Sequence, residues 1–591
     1  MKFIFSYLKK YKSLIAVTLL LKLFGTLGEL SLPYILEYLI DEIAPTKSLR
    51  LALLWGGLMA VLALLTRLFN VNANRRGSSL AQKATYEIRR DLFYHSIHLS
   101  GGQMDAFGLP SITSRMTSDS YNIQNFIRAM MAVGVRAPIL LLGSMAVTMT
   151  MDRGLAAILC IIAPMVVASV VFISVKGIPL YDRVQRLLDK VVRIMRENIT
   201  GIWVVKALSK EPYETERFGQ ANQALTRAER SASIVMSLPG PVMNLFLNTG
   251  LTLVVFVGAY RVNGGLTKPG VILAFLTYFN LILNGAMGLN RIFMTLSKAN
   301  ASADRIEAVI RAPDELQPIP ETEAAVPSTE GHIVFDHVSF RYAEKSTMAN
   351  ALHFDGGQRQ MSVEDISFAI PKGGSLGIIG ATGCGKTTIL NLLMRFYDAT
   401  EGHIFVAGKD LRSFPLDTLR RKFGVVFQTD MIFSDTIAEN IRFGRPVSQQ
   451  ALEAAARDAC AAEFIAGYED GYQHRATVRG DNFSGGQKQR LLISRALAVE
   501  PEILILDDAS SALDYQTDAS VRKAIREHHG DTTTIIVAQR ISSIRNLDQI
   551  IMLEEGRILG HGTHAELMEA CPAYRDIYEA QMGEGELGYA D

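Results

Sequence analysis

Cysteine is scarce in this chain, with four among 591 residues. No two are spaced as zinc ligands and no disulfide framework can be drawn, so the chain is neither a metal-clipped nor a disulfide-stapled secreted scaffold. Cys384, Cys460 and Cys571 fall in the polar C-terminal half and Cys160 in an apolar run, a pattern that suits a reducing compartment. An excess of charge of one sign is also missing: 60 basic and 59 acidic residues leave a formal net charge of +1, which gives no footprint for nucleic acid. A secretory cleavage signal is missing too. The N-terminus carries Lys2, Lys9, Lys10 and Lys12 before an apolar run, but Lys22 and Glu29 interrupt that run and no small-x-small site follows, so it reads as a first membrane helix.

What the chain has in abundance is apolar surface: 49% of its residues are hydrophobic, and the mean hydropathy is positive. Nearly all of the surplus precedes residue 300, in six runs at 14–40, 51–72, 130–151, 155–176, 240–262 and 269–297. Each can cross about 30 Å of hydrocarbon. The N-terminus and the segments 75–128 (Arg75, Arg76, Lys83, Arg89, Arg90) and 176–230 (Arg183, Arg186, Lys190, Arg193) are basic, which puts them, and the C-terminal domain, on the cytoplasmic side of a plasma membrane. The other connections are short and belong outside. The two long excursions have helical periodicity, so they read as membrane helices that continue into the cytosol, with Leu188, Val191, Val192 and Met195 on one stripe. Their tips fall at about 100–107 and 208–212. Residues 311–330, rich in Pro, Glu and Ala, mark a solvated linker between a membrane domain at 1–310 and a soluble domain at 331–591.

The soluble part opens with short β-rich runs and continues with strands alternating with helices, an α/β domain with an antiparallel β portion at its start. After the apolar strand 376–379 stands GATGCGKTT at 380–388, which fits the phosphate-loop pattern. Gly380, Gly383 and Gly385 let backbone N–H groups turn inward on a phosphate, with Thr382, Cys384 and Thr388 in the same loop and helix start. Lys386 neutralises phosphate charge, and Thr387 supplies a hydroxyl for Mg²⁺. The strand in ILILDDAS at 503–510 delivers Asp507 to its tip, where a carboxylate can hold the metal's water shell. Tyr342 offers an aromatic face for adenine. NFSGGQKQR at 482–490 places Ser484, Gly485, Gly486 and Gln487 at a second helix start, another anion-binding turn that one nucleotide cannot easily share with the first.

In order and content these segments resemble the half-transporters of the ATP-binding cassette (ABC) exporter family, of multidrug or lipid type: six spans fused to one cassette carrying the phosphate loop, Gln428 in VVFQ, FSGGQ, ILILDD and SALD at 511–514. The resemblance implies a fold, a polytopic α-helical membrane domain followed by an α/β cassette with an antiparallel β subdomain, and ATP with Mg²⁺ as ligands. It also implies that two cassettes pair head to tail, each ATP lying between the phosphate loop of one and the signature of the other. Gln428 would sense the γ-phosphate and the metal, and Asp514 would bridge the cassettes.

Two residues depart from the family. Its catalytic Glu is Asp508 here, and its switch His is Gln539. Asp is one methylene shorter, so its oxygens retreat by about 1 Å from the attacking water, a displacement that can cost about a hundredfold in rate. Gln539 can hydrogen-bond a phosphate oxygen but carries no positive charge. The signature is intact apart from Phe483 in place of the commoner Leu. The paired losses resemble the degenerate half of a heterodimer. A homodimer with slow ATPase, and a regulatory subunit or ATP-gated pore, stand as alternatives to an exporter subunit for amphipathic or lipid-like cargo. Among ionisable residues in or near the spans, Glu29 stands out, beside Gly25, Gly28 and Pro33. The stretch 343–363 is longer than the family's usual link and suggests a surface hairpin.

Overall fold

The computed structural model describes residues 1–313, 316–342, 361–429 and 431–582. The expected hairpin at 343–363 lies almost wholly outside them. Two compact units are present: Met1–Ser96 with Pro110–Arg311, and Ile97–Leu109 with Ala312–Asp591.

The first unit is helical. The six apolar runs fall in the helices Lys12–Tyr38, Leu49–Ile97, Ser120–Val133 continuing as Arg136–Met151, Arg153–Thr200, Pro239–Asn263 and Pro269–Ile310. Among the described residues, five helical stretches are long and apolar enough to cross a membrane, and Arg153–Thr200 opens with a shorter one, Arg153–Val166. The 49 residues of Leu49–Ile97 reach about 73 Å at 1.5 Å per residue, more than twice the hydrocarbon thickness. Spans that overrun the membrane this far are the helical excursions expected from periodicity.

The stripe on the second excursion differs from the expected one. Val191 and Ile194 are buried against Ala221 and Leu225 of the helix Glu211–Ser237, with Val184, Leu187 and Phe218 at the margin, whereas Leu188, Val192 and Met195 are exposed. Both stripes satisfy helical spacing, and the packed one is set by which face meets the neighbouring helix. The second tip also lies earlier than expected, in the short helix Ile202–Ala207. Polar side chains fasten the unit elsewhere. Buried Asp119 accepts from Arg305 Nε at 2.8 Å and from Ser302 Oγ at 2.9 Å, so the end of the last long helix is tied to the third. Glu29 is engaged in the same way: both of its oxygens accept from Arg136, at 3.0 and 2.6 Å.

The second unit carries two sheets. The antiparallel sheet has the order β2-β1-β4-β5, with β1 Ile333–Phe340, β2 Val363–Ile370, β4 Glu401–Val406 and β5 Lys409–Asp410. The larger sheet has the order β10-β9-β3-β8-β7-β6, built from β3 Ser375–Gly380, β6 Phe423–Val426, β7 Ile503–Asp507, β8 Thr533–Val537, β9 Gln549–Glu554 and β10 Arg557–Gly562. All pairs in it are parallel except β9 with β10. Every residue of β7 and β8 is buried, as the continuous apolar runs of a sheet covered on both faces require. The segment expected to be a free linker is partly fastened to this unit: Ile319 N–H donates to Arg412 O at 2.9 Å, and fully buried Arg395 donates to Gln317 O at 2.9 Å.

The short helix Gly101–Phe107 belongs to this second unit. Ser100 and Gln103 close it with a reciprocal capping box. Its first N–H, of Gly101, donates to Phe396 O at 3.1 Å, and Asp105 accepts from the Tyr397 hydroxyl at 2.8 Å. A Cβ at Gly101 would stand 2.7 Å from both Phe396 O and the Tyr397 ring, so only glycine permits this approach.

Candidate active site

The C-terminal ends of β3, β8 and β7 lie side by side in the parallel sheet, the place where such sheets bind nucleotides. A pocket of about 930 Å³ opens there. Its lining joins residues far apart in the chain: Tyr342, Thr382, Gly383, Gly385, Lys386, Thr387, Thr388, Gln428, Asp507, Asp508 and Gln539. Gly380 and Cys384 stand in the loop behind this lining, Cys384 buried.

β3 turns into the loop through Gly380, and the helix Lys386–Leu393 leaves it with left-handed Gly385 as its N-cap (φ +104°). A Cβ on Gly385 would meet Ser362 O at 2.7 Å. Lys386 Nζ donates to Gly380 O at 2.7 Å and Ala381 O at 2.8 Å. These are neutral acceptors, so a phosphate oxygen competes well for the same hydrogens.

Thr387 Oγ1 lies 3.4 Å from Asp507 Oδ2. Burial raises the Asp507 pKa above the usual carboxylate range and the adjacent Asp508 charge adds to this, while Thr387 and Lys386 pull it back. A buried carboxylate held up in this way gains from a cation. Hydroxyl, carboxylate and the nearby Gln428 amide are hard oxygen donors that fit Mg²⁺.

Asp508 follows β7 in the left-handed region (φ +53°), fixed by its N–H donating to Val537 O at 2.9 Å. The Gln539 amide donates to Asp508 Oδ2 at 3.0 Å. The two residues that depart from the family are thus bonded to each other. Gln581, in the helix Pro572–Met582, holds the loop beyond β8 at two points: its amide N–H donates to Gln539 O at 2.8 Å, and its oxygen accepts from Ile541 N–H at 2.8 Å. Tyr342 is positioned by ring contacts with Phe340 and Tyr397 at 4.8 and 5.1 Å and by its hydroxyl, 3.2 Å from Thr388 Oγ1.

Ser484, Gly485, Gly486 and Gln487 are absent from this lining. Ser484 caps the helix Gly485–Leu497 in a capping box with Gln487. Asp514 caps Tyr515–His528 through Thr517, whose backbone N–H and hydroxyl hold the carboxyl below its usual range. Phe483 is buried beside Tyr468 and His474, so the larger ring is absorbed by packing just before the signature turn.

Sequence reasoning missed one wall of the pocket. Glu364, Glu555, Gly556 and Arg557 line it; Arg557 pairs with Glu364 at 2.6 Å, and Gly556 N–H donates to Cys384 O at 3.2 Å. In sequence the β9–β10 turn is an ordinary hairpin, and only the pairing of β9 with β3 brings it to the phosphate loop.

Fold and site together define a phosphate-loop ATPase cassette fused to a helical membrane domain. Residues 15–287 match the family model for the ABC transporter transmembrane region, and residues 363–511 that for the ABC transporter. The chain is 32% identical over 586 residues to an uncharacterized ABC transporter ATP-binding protein of Mycobacterium tuberculosis, covering 98% of each. To the uncharacterized ABC transporter ATP-binding protein YfiB of Bacillus subtilis it is 33% identical over 579 residues, again with 98% of each covered. Its fold is that of a bacterial Atm1-family ABC exporter solved with ATP bound, at a TM-score of 0.78 and 24% identity, over 96% of this chain and 98% of that one. The chain belongs to the ABC transporter family and carries its membrane domain and its ATP-binding cassette in one polypeptide.

Proposed function

We propose that this chain is the slow-site half of a heterodimeric exporter of amphipathic or lipid-like compounds in the plasma membrane, with its N-terminus and cassette cytoplasmic. The observation that carries this reading is the Gln539–Asp508 hydrogen bond at the end of the pocket where the γ-phosphate would lie. Asp508 reaches about 1 Å less far than Glu would, and a neutral amide occupies one of its oxygens. The site is built to hold ATP, through Lys386, Thr387, Asp507 and Tyr342, and poorly built to activate water. Thr387, Asp507 and Gln428 would hold Mg²⁺, which would offset phosphate charge. The chain's own part is to hold the triphosphate on the loop amides and Lys386 and to report occupancy through Gln428.

Support for a working second site comes from the signature. Ser484–Gln487 form a well-capped helix start, exposed at Ser484 and Gly485 and half-buried at Gly486 and Gln487, that stands apart from the lining of this chain's own pocket and so is available to a nucleotide on another cassette. Coupling runs through contacts within the second unit. Phe427, next to Gln428, stacks on Phe396 with ring centroids 6.3 Å apart, and Phe396 O accepts from Gly101 of the first tip.

The purified chain should therefore bind ATP tightly and turn it over slowly. Joined with a half-transporter carrying Glu and His at these positions, it should form an active ATPase that Ser484→Ala in this chain cuts at least tenfold. Turnover by the chain alone at rates typical of active exporters would falsify the assignment. Transport of an amphipathic dye into vesicles, lost on changing the partner's Glu, separates a pump from an ATP-gated pore, which would conduct continuously with ATP bound.

A further inference from the structure

The membrane unit contains a polar cavity that the ATP chemistry does not use. It measures about 380 Å³, within the range of small-ligand sites, and is lined from the helices Leu49–Ile97, Ser120–Val133 and Pro269–Ile310. Two guanidinium groups, Arg128 and Arg291, share it with the amides of Asn74 and Asn125 and the hydroxyls of Tyr121 and Thr295. Among the described residues no carboxylate lines it.

Its hydrogen-bonding capacity is biased one way. Asn125 Oδ1 accepts from Arg128 at 2.9 Å, and Asn74 Oδ1 accepts from Lys22 Nζ at 3.0 Å. Both amides thus spend their oxygens on cations and keep N–H donors for the cavity. Lys22, 3% exposed, stands behind Asn74, and Glu29 on the same helix has both oxygens taken by Arg136. Two guanidinium groups and two amide donors therefore share a cavity whose described lining holds no carboxylate. Ionisable groups at the ends of membrane spans face cavities by default, and paired guanidinium groups suit carboxylate or phosphate. Ala132 and Val133 give one wall an apolar character, which suits a ligand with a hydrocarbon portion.

We propose that this cavity binds the carboxylate or phosphate head of an amphipathic anion. This narrows the cargo class of the exporter reading and rests on that reading only for the transport step that comes after binding. Such a head group can come from a membrane lipid or from a soluble organic anion.

The test uses the full chain in phosphatidylcholine nanodiscs without nucleotide. Dodecyl phosphate should bind at least tenfold more tightly than dodecylphosphocholine. Arg291→Gln and Arg128→Gln should each weaken dodecyl phosphate about tenfold and leave dodecylphosphocholine unchanged, while Arg291→Lys should lose less. Binding of a fluorescent ATP analogue shows that the variants are folded. Equal affinity of wild type and the double Gln variant for dodecyl phosphate overturns the proposal.

A second measurement needs no variant. Competition by 1-naphthyl phosphate assigns the site to soluble anions, and competition by phosphatidylglycerol in the nanodisc alone assigns it to lipid heads. Competition by neither overturns the proposal. Because no ATP is turned over, failure here leaves the slow-site assignment standing, and failure of that assignment leaves this one.

Discussion

Asp508→Glu, combined with Gln539→His, is the change that bears most directly on how this chain uses ATP. Glu returns the methylene that the wild-type side chain lacks and moves the carboxylate about 1 Å toward the in-line water, a placement worth about a hundredfold in rate, or roughly 2.7 kcal/mol of barrier. The single substitution also breaks the geometry of the 3.0 Å bond from the Gln539 amide, so the neutral amide must find another acceptor. Replacing it by His supplies a group that can carry charge toward the γ-phosphate. The backbone opposes the change slightly. Asp508 sits at φ +53°, where Asp is several-fold more common than Glu, so the cassette should lose about 1 kcal/mol of stability.

The assay is steady-state phosphate release by the purified full chain in lipid, with Lys386→Ala as the blank. Asp508→Glu should raise turnover tenfold or more, and the double variant about a hundredfold, with ATP affinity unchanged. If the double variant binds ATP as wild type does and turns over no faster, the missing methylene is not what limits this site. If wild type already matches the double variant, the site is not degenerate.

Three individual contacts give further expected outcomes. Gly101→Val forces a side chain into Phe396 O and the Tyr397 ring, 2.7 Å away, so ATP binding should persist while cargo stops stimulating ATPase, read as the ratio of stimulated to basal turnover. Gln581→Ala removes both hydrogen bonds that fix the loop at 539–541; in the Asp508→Glu background it should lower kcat several-fold with little change in KM, and Gln581→Asn should not restore it because the shorter amide cannot span both peptides. His332 is buried against the Thr533 hydroxyl at 2.7 Å, and burial lowers its pKa below the ordinary 6.5. The neutral form is the one that folding favours, so this contribution is complete above pH 6.5 and is lost as pH falls through the lower folded value; in His332→Gln the acid-side drop in cassette melting temperature should shrink.

Much of the site could be read from sequence because each motif is local. GATGCGKTT is a strand, a turn and a helix start in nine consecutive residues, and its backbone geometry follows from the glycines it contains. The same holds for Asp507 at the end of an all-buried strand. The Glu364–Arg557 wall could not be read this way, since it depends on β9 pairing with β3 across about 170 residues and no motif encodes that neighbour. The stripe on the second excursion is legible only at Val191 for a related reason: the expected Leu188, Val191, Val192 and Met195 and the packed Leu187, Val191 and Ile194 both satisfy helical spacing, and tertiary packing alone decides between them. That Glu29 pairs with another ionisable residue of the spans is legible in sequence, but which one is not, because Arg136 lies more than a hundred residues away.

The tips of the two helical excursions differ in what covers them. The first, Gly101–Phe107, is seated: the Gly101 N–H, Asp105 and the Gln103 side chain all have partners within the second unit. The second tip leaves Trp203 78% exposed, with Val204 and Leu208 at 61% and 63%. A Trp ring and two aliphatic side chains left in water at a helix of six residues form an apolar patch of the kind that marks an interface, and burying them would contribute on the order of several kcal/mol. The signature start at Ser484 is exposed in the same way, capped and without a nucleotide pocket of its own. In the heterodimer proposed above, these two surfaces are what this chain would present to its partner. The altered pair Asp508–Gln539 lies elsewhere, in the pocket served by this chain's own phosphate loop. A substitution there leaves both exposed surfaces intact, so the proposed heterodimer requires no change in this chain outside its own nucleotide pocket.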